Sequence, residues 1–195
     1  MIIGIDPGVR EHMGVVTVGG FPQYAGTVHI EDGRLTIGKG ILLVMQGTLV
    51  VVEAPSPQGA ARAQNQSYIQ LGRAVGALIE RLKGCKALRA VWTVPANKLR
   101  RWIANWSPHA GQADPYMLRW MQQHCEELQK LPPETRDSLF ARGGLLGNDH
   151  KRDAYLCAIW GRRALTAHAG FRQQWEAQTI VEFDREANEP SESSS

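Results

Sequence analysis

The chain has 195 residues, 43% of them hydrophobic and 21% charged, which is ordinary globular usage and excludes wholesale disorder or a fibrous repeat. Its net charge of +3 hides an uneven distribution, because residues 182–195 carry five acids and one arginine and leave +7 for the rest. Residues 54–113 hold nine bases against one acid, Glu80, a pattern that fits a polyanionic partner or simply solvated helix faces.

In chain order, the run from Met1 to Ile5 reads as a short strand stopped by the breaker Asp6-Pro7-Gly8. Strands over 14–18 and 24–30 follow, with Glu31-Asp32-Gly33 as the next turn, so the opening predicts an antiparallel meander. The apolar run 41–45 fits either helix or strand. Leu49-Val50-Val51-Val52-Glu53 is a buried strand, parallel to the first. Helical spacing spans 64–82, with Ile69, Ala74, Leu78 and Leu82 on one face and Gly72 and Gly76 four apart, a pair that permits close packing on a sheet or a helix. A strand over 89–94 ends at Pro95 and a basic amphipathic helix follows over 96–106. Beyond a linker at 108–113, a helix over 114–129 is capped by Asp114 and ends before the break Pro132-Pro133. Gly143, Gly144 and Gly147 form a flexible approach to a last helix, about 150–168, capped by Asn148 or Asp149.

These elements predict an α/β fold with a central mixed five-stranded sheet flanked by helices. One domain is expected over 1–181, with an insertion at about 107–147 and an acidic, disordered tail over 182–195. The most apolar stretch, 41–52, is too short and too interrupted to span a bilayer as a helix, and Asp6 with no basic flank does not suit a signal peptide. A cytoplasmic protein is expected. Cys85, Cys125 and Cys157 are odd in number and lack CxxC spacing, so they read as reduced core residues.

Chemistry concentrates at two strand ends and one helix start. Asp6 and Glu53 terminate strands that, if parallel neighbours, deliver both carboxylates to the sheet edge where open α/β folds bind ligands. The segment Asn148-Asp149-His150-Lys151-Arg152-Asp153 opens a helix, and its spacings of three (His150, Asp153) and four (Asp149, Asp153) can share a helical face. Such oxygen-rich sets suit Mg²⁺ or Mn²⁺, the latter accepting imidazole more readily. Separate acids can equally be caps and surface charges.

Gly4-Ile5-Asp6-Pro7-Gly8, the strand ending in Glu53, Leu71-Gly72-Arg73-Ala74-Val75-Gly76, and His150-Lys151-Arg152-Asp153-Ala154-Tyr155-Leu156-Cys157-Ala158 together resemble the RuvC branch of the RNase H-like nucleases. The last motif is especially similar to the RuvC-like nuclease domain of type II CRISPR effectors. Order and approximate spacing match over residues 1 to about 168. The resemblance implies an RNase H-like fold, two divalent ions (Mg²⁺ or Mn²⁺) and hydrolysis of DNA phosphodiesters by water. For stand-alone members it implies a homodimer that resolves Holliday junctions by symmetric nicks in DNA recombination and repair. Carried over, Asp6 would bridge both ions, Glu53 would bind one, and His150 and Asp153 would complete the set, with Asp149 as a lesser ligand.

Two departures fit a phage or prophage variant: His150 stands where bacterial resolvases usually carry aspartate, and Ala54-Pro55-Ser56-Pro57-Gln58 lacks their junction-facing aromatic. Lys98, Arg100, Arg101, Lys151 and Arg152 are the expected phosphate contacts, and Trp102 and Trp106 the best placed for base stacking, though packing is the commoner fate of tryptophan. Other readings are a RuvC-like enzyme for other branched DNA, a non-catalytic nucleic-acid binding protein of the same fold, and an actin-like ATPase or sugar kinase. The last needs a second Asp-x-Gly phosphate loop, and none follows Gly8. The near P-loop at Gly33 to Gly40 lacks the closing Ser or Thr.

Overall fold

Strand β1 (Ile2–Pro7) has an unbroken apolar start because both of its faces are covered, the pattern of a central strand. The computed structural model describes residues 1–38, 46–55, 66–96, 99, 118–119, 121–123, 125–166 and 180–182. On one side β1 pairs antiparallel with β2 (His12–Val18), which leads through β3 (Phe21–Glu31) to β4 (Arg34–Ile37). On the other side it pairs parallel with β5 (Thr48–Ala54), and β5 parallel with β6 (Leu88–Pro95). A short β7 (Ile180–Glu182) runs antiparallel to β6. The resulting order is β4-β3-β2-β1-β5-β6-β7, a mixed sheet with the expected antiparallel meander and parallel pair.

Helices cover both faces. Along β1 and β5 alternate residues point opposite ways. Ile3, Ile5, Val50 and Val52 meet Val75, Leu78 and Leu82 of α1 (Gln66–Lys83). Ile2, Leu49 and Val51 meet Ala154, Tyr155 and Ala158 of α4 (Asp149–Thr166). Between them in sequence lie α2 (Glu126–Gln129) and α3 (Pro133–Phe140). Trp92 and Trp160 pack edge to face at 6.0 Å on the α4 side, and all three cysteines are buried and form no disulfide. Among the described residues no helix is long and apolar enough to cross a membrane.

The sheet has two strands beyond the five expected. Strand β4 buries Leu35 and Ile37 behind a turn in which Asp32 (φ 48°) and Gly33 (φ 69°) are both left-handed, the geometry that makes Asp-Gly a hairpin signal. It runs only four residues, too few for its alternation to stand out. The expected helix over 114–129 is interrupted: 121–123 are helical, Cys125 is extended (φ −71°, ψ 105°), and α2 begins at Glu126. Of the glycines before α4, Gly144 and Gly147 serve close packing, and Gly143 takes a left-handed turn (φ 89°). A Cβ on Gly144 would lie 2.5 Å from the carbonyls of Ser138 and Leu139, and the Leu146 amide donates to Leu139 at 2.8 Å. Gly72 and Gly76, by contrast, are exposed, and a Cβ on either would meet nothing within 4 Å, so helix-on-sheet contact is not their role. The 41–45 run and most of the 96–106 helix, with Trp102 and Trp106, lie outside the described residues.

One buried ion pair ties α2 to α4. Glu127, 3% exposed, takes two hydrogen bonds from Arg163 (2.8 and 3.1 Å) and one from Arg162 (3.3 Å). The Cys125 thiol also donates to Glu127 at 3.5 Å; burial and that carboxylate push its pKa up to about 12, so it stays a thiol.

Candidate metal centre

The register explains how residues 47 apart in sequence meet. Ile5 pairs with Val52 across the parallel β1–β5 ladder, so Asp6 and Glu53 take the next positions on neighbouring strands. Both follow a residue that faces α1, and alternation turns both toward α4. Helix α4 comes unusually close to β1 there because Gly4 has no side chain, and its first turns carry Asp153 to the same edge. Asp6, Glu53 and Asp153 each offer a carboxylate oxygen, and these atoms all lie within 4.8 Å of one another.

Glu53 is buried and the other two are half-buried. Three ionised carboxylates at that spacing repel by roughly 3 kcal/mol per pair at an effective dielectric near 20. A hard divalent cation takes several oxygen ligands at close range and reverses that repulsion. The set therefore fits Mg²⁺ or Mn²⁺ chemically as well as by position.

His150 joins the cluster through Asp6: its Nδ1 lies 2.6 Å from Asp6 Oδ2. Facing a carboxylate, Nδ1 is the donor, and Nε2 is left as the outward nitrogen of a side chain that is 71% exposed. His12, on β2, differs. Burial, and then the Arg81 charge, hold its pKa below the ordinary value, and its buried Nδ1 has no hydrogen-bond partner.

Asp149 sits at the first position of α4, 55% exposed and ion-paired with Arg152 outside the carboxylate cluster. The cap is Asn148, whose Oδ1 accepts from the Lys151 amide at 2.9 Å. Two of the five cations expected to hold phosphate, Lys151 and Arg152, turn back onto the loop before the helix. Lys151 Nζ donates to the Gly144 carbonyl at 3.0 Å, and Arg152 Nη1 to the Leu146 carbonyl at 3.1 Å. Lys98, Arg100 and Arg101 lie outside the described residues. The sequence reading missed Gly4 as the seat of α4, whose signal was a glycine inside a run of isoleucines.

A polar cavity of about 300 Å³ lies away from the cluster, lined by Glu126, Glu127, Lys130, Arg162, Arg163 and Thr166. Ten residues of helix, about 15 Å, separate Asp153 from Arg163, so that cavity belongs to the α2–α4 ion pair and not to the carboxylates.

Solved structures that resemble this chain include two of RuvC. They are Thermus thermophilus RuvC (16% identity, 92% of this chain and 99% of that chain, TM-score 0.39) and T. thermophilus RuvC in complex with Holliday junction substrate (14%, 92% and 98%, TM-score 0.37). No family model and no curated protein matches the chain.

Proposed function

We propose that this chain is a metal-dependent, structure-selective DNA endonuclease that resolves four-way junctions by symmetric phosphodiester hydrolysis. The observation that carries the reading is the approach of Asp6, Glu53 and Asp153 within 4.8 Å at the carboxyl end of two parallel strands. Divalent ions bound there, two in the reading we favour, would acidify water and offset charge on the leaving oxygen. The chain's own residues do the rest. Asp6, Glu53 and Asp153 hold the cations on a rigid ladder and helix. His150 keeps a proton on Nδ1 toward Asp6 and presents Nε2 on the side open to a DNA strand, where it can exchange a proton with water.

Four-way DNA as substrate follows from the sequence resemblance, as do a homodimer, which two symmetric nicks require, and a cytoplasmic place of action. The basic stretch 54–113, with Lys98, Arg100 and Arg101, supplies backbone contacts in this reading, so binding should weaken steeply with salt.

The test is cleavage of a labelled synthetic four-way junction, beside linear duplex and flap, with Mg²⁺ or Mn²⁺, comparing the native chain with Asp6→Asn. Paired nicks that need metal and vanish in the variant support the proposal. Cutting confined to flaps moves it to other branched DNA. Tight binding with no metal-dependent cutting of any substrate replaces it with a binding protein of the same fold.

A further inference from the structure

Resting on the reading of the carboxylate cluster as a nuclease centre, we propose that Arg10, at the tip of the β1–β2 hairpin, binds a DNA phosphate that flanks the one that is cut, about three nucleotides away. The hairpin turns over two residues, Val9 and Arg10. Pro7 pairs with His12, and the Gly8 amide donates to the Glu11 carbonyl at 2.9 Å. A Cβ on Gly8 would fall 2.3 Å from that same oxygen, so the turn closes this tightly only with glycine. The tip is thereby fixed to the strand that carries Asp6.

Both tip side chains face solvent, Val9 at 51% exposure. The Arg10 guanidinium makes no hydrogen bond or ion pair to any described residue. Lys151 and Arg152, in the first turns of α4, are instead engaged with the Gly144 and Leu146 carbonyls. An arginine held beside a metal centre with its donor fork open matches the planar, bidentate geometry of a phosphate. About three residues of extended chain, or ~10 Å, separate Asp6 from the tip. At a rise of about 3.4 Å per nucleotide along one strand, that is about three nucleotides. The contact therefore falls on a flanking phosphate, not the scissile one, and the exposed Val9 lies beside it against sugar.

The experiment measures junction affinity against salt in the Asp6→Asn background, with and without Arg10→Ala or Arg10→Lys, alongside cleavage by the corresponding chains that keep Asp6. Arg10→Ala is expected to weaken binding roughly tenfold and to lower the slope of log affinity on log salt by about 0.9, one phosphate contact. Arg10→Lys is expected to restore the slope but not the full affinity. A junction with a neutral methylphosphonate at that flanking position, about three nucleotides from the nick, should bind both chains equally. Unchanged affinity and slope in Arg10→Ala, with wild-type cleavage intact, overturns the Arg10 contact and leaves the nuclease reading standing. A chain that binds none of the DNAs overturns both.

Discussion

Gly4 and Ala154 stand back to back where β1 crosses α4, so close that a Cβ built on Gly4 would lie 1.8 Å from the Ala154 carbonyl oxygen and 2.6 Å from the Ala158 amide nitrogen. Both neighbours are helix backbone and cannot rotate away. Gly4→Ala must therefore lift α4, and with it Asp153, off the strand that holds Asp6. The expected cost is at the upper end of overpacking, about 3 kcal/mol or more. Thermal unfolding should show it, and metal affinity should fall in the fraction that stays folded. Gly76→Ala, where a Cβ meets nothing within 4 Å, should instead stabilise by about 0.5–1 kcal/mol. Equal effects from the two substitutions would refute this account of Gly4.

The Glu127 ion pair predicts an acid-sensitive fold. Burial alone would raise the Glu127 pKa, but the hydrogen bonds and charge of Arg163 outweigh it and leave the pKa below its ordinary 4.5. A carboxyl lowered in the folded state contributes stability that is present above pH 4.5 and is lost as pH falls through the depressed value. Glu127→Gln leaves Arg162 and Arg163 without their counter-charge. Both arginines are partly exposed and can regain water, so the expected loss is near the low end for a broken buried pair, about 3 kcal/mol. That corresponds to roughly 6–12 °C in Tm for a chain of this size. The variant's unfolding free energy should also depend less on pH below 4.5 than the native chain's. A parallel pH dependence would show that other groups carry the acid limb.

The order of the central strands was legible because each announced itself within a few residues: Ile2 to Ile5 stopped by Asp6-Pro7-Gly8, and Leu49 to Val52 ending at Glu53. Parallel pairing of those two strands then put both carboxylates at one edge by alternation alone. Asp153 was legible as a helix-start acid. That it and not Asp149 joins the cluster depends on where α4 seats on Gly4, a backbone contact that no side-chain pattern reports. The direction of Lys151 and Arg152 was illegible for a related reason. They lie in the first turn after the Asn148 cap, and the loop wound by Gly144 and Gly147 offers carbonyls within reach. A basic pair beside a metal centre looks the same in sequence whether it faces DNA or its own main chain.

Metal should reverse an instability built into the centre. With the ions removed by EDTA, the carboxylates repel, and Asp153→Asn takes away one of the three charges. The variant is therefore expected to unfold at the same temperature as the EDTA-treated native chain or higher. Adding Mg²⁺ or Mn²⁺ should raise the Tm of the native chain by mass action and leave that of Asp153→Asn almost unmoved. Calorimetry in EDTA and in millimolar metal reads both effects. A native Tm indifferent to either ion would mean that the cluster binds no metal and is only a set of polar contacts at a strand edge.

Arg152 is expected to act on catalysis by holding the helix start. Its side chain is 13% exposed, pairs with Asp149 and donates to Leu146, a fully buried residue whose amide is bonded to Leu139 of α3. This chain of contacts ties the turn that carries His150 and Asp153 to α3. Arg152→Met keeps much of the side-chain volume and removes the strap. A brace predicts a fall in the cleavage rate, on the order of tenfold, and weaker Mn²⁺ binding, with junction affinity in EDTA little changed. A phosphate contact predicts the opposite: affinity lowered, a shallower salt slope and unaltered Mn²⁺ binding. Arg152→Lys separates the two once more, since an ammonium still neutralises phosphate but cannot reach Asp149 and the Leu146 carbonyl together through one planar fork. Under the brace, Arg152→Lys resembles Arg152→Met in metal affinity; under the phosphate contact, it resembles the native chain in salt dependence.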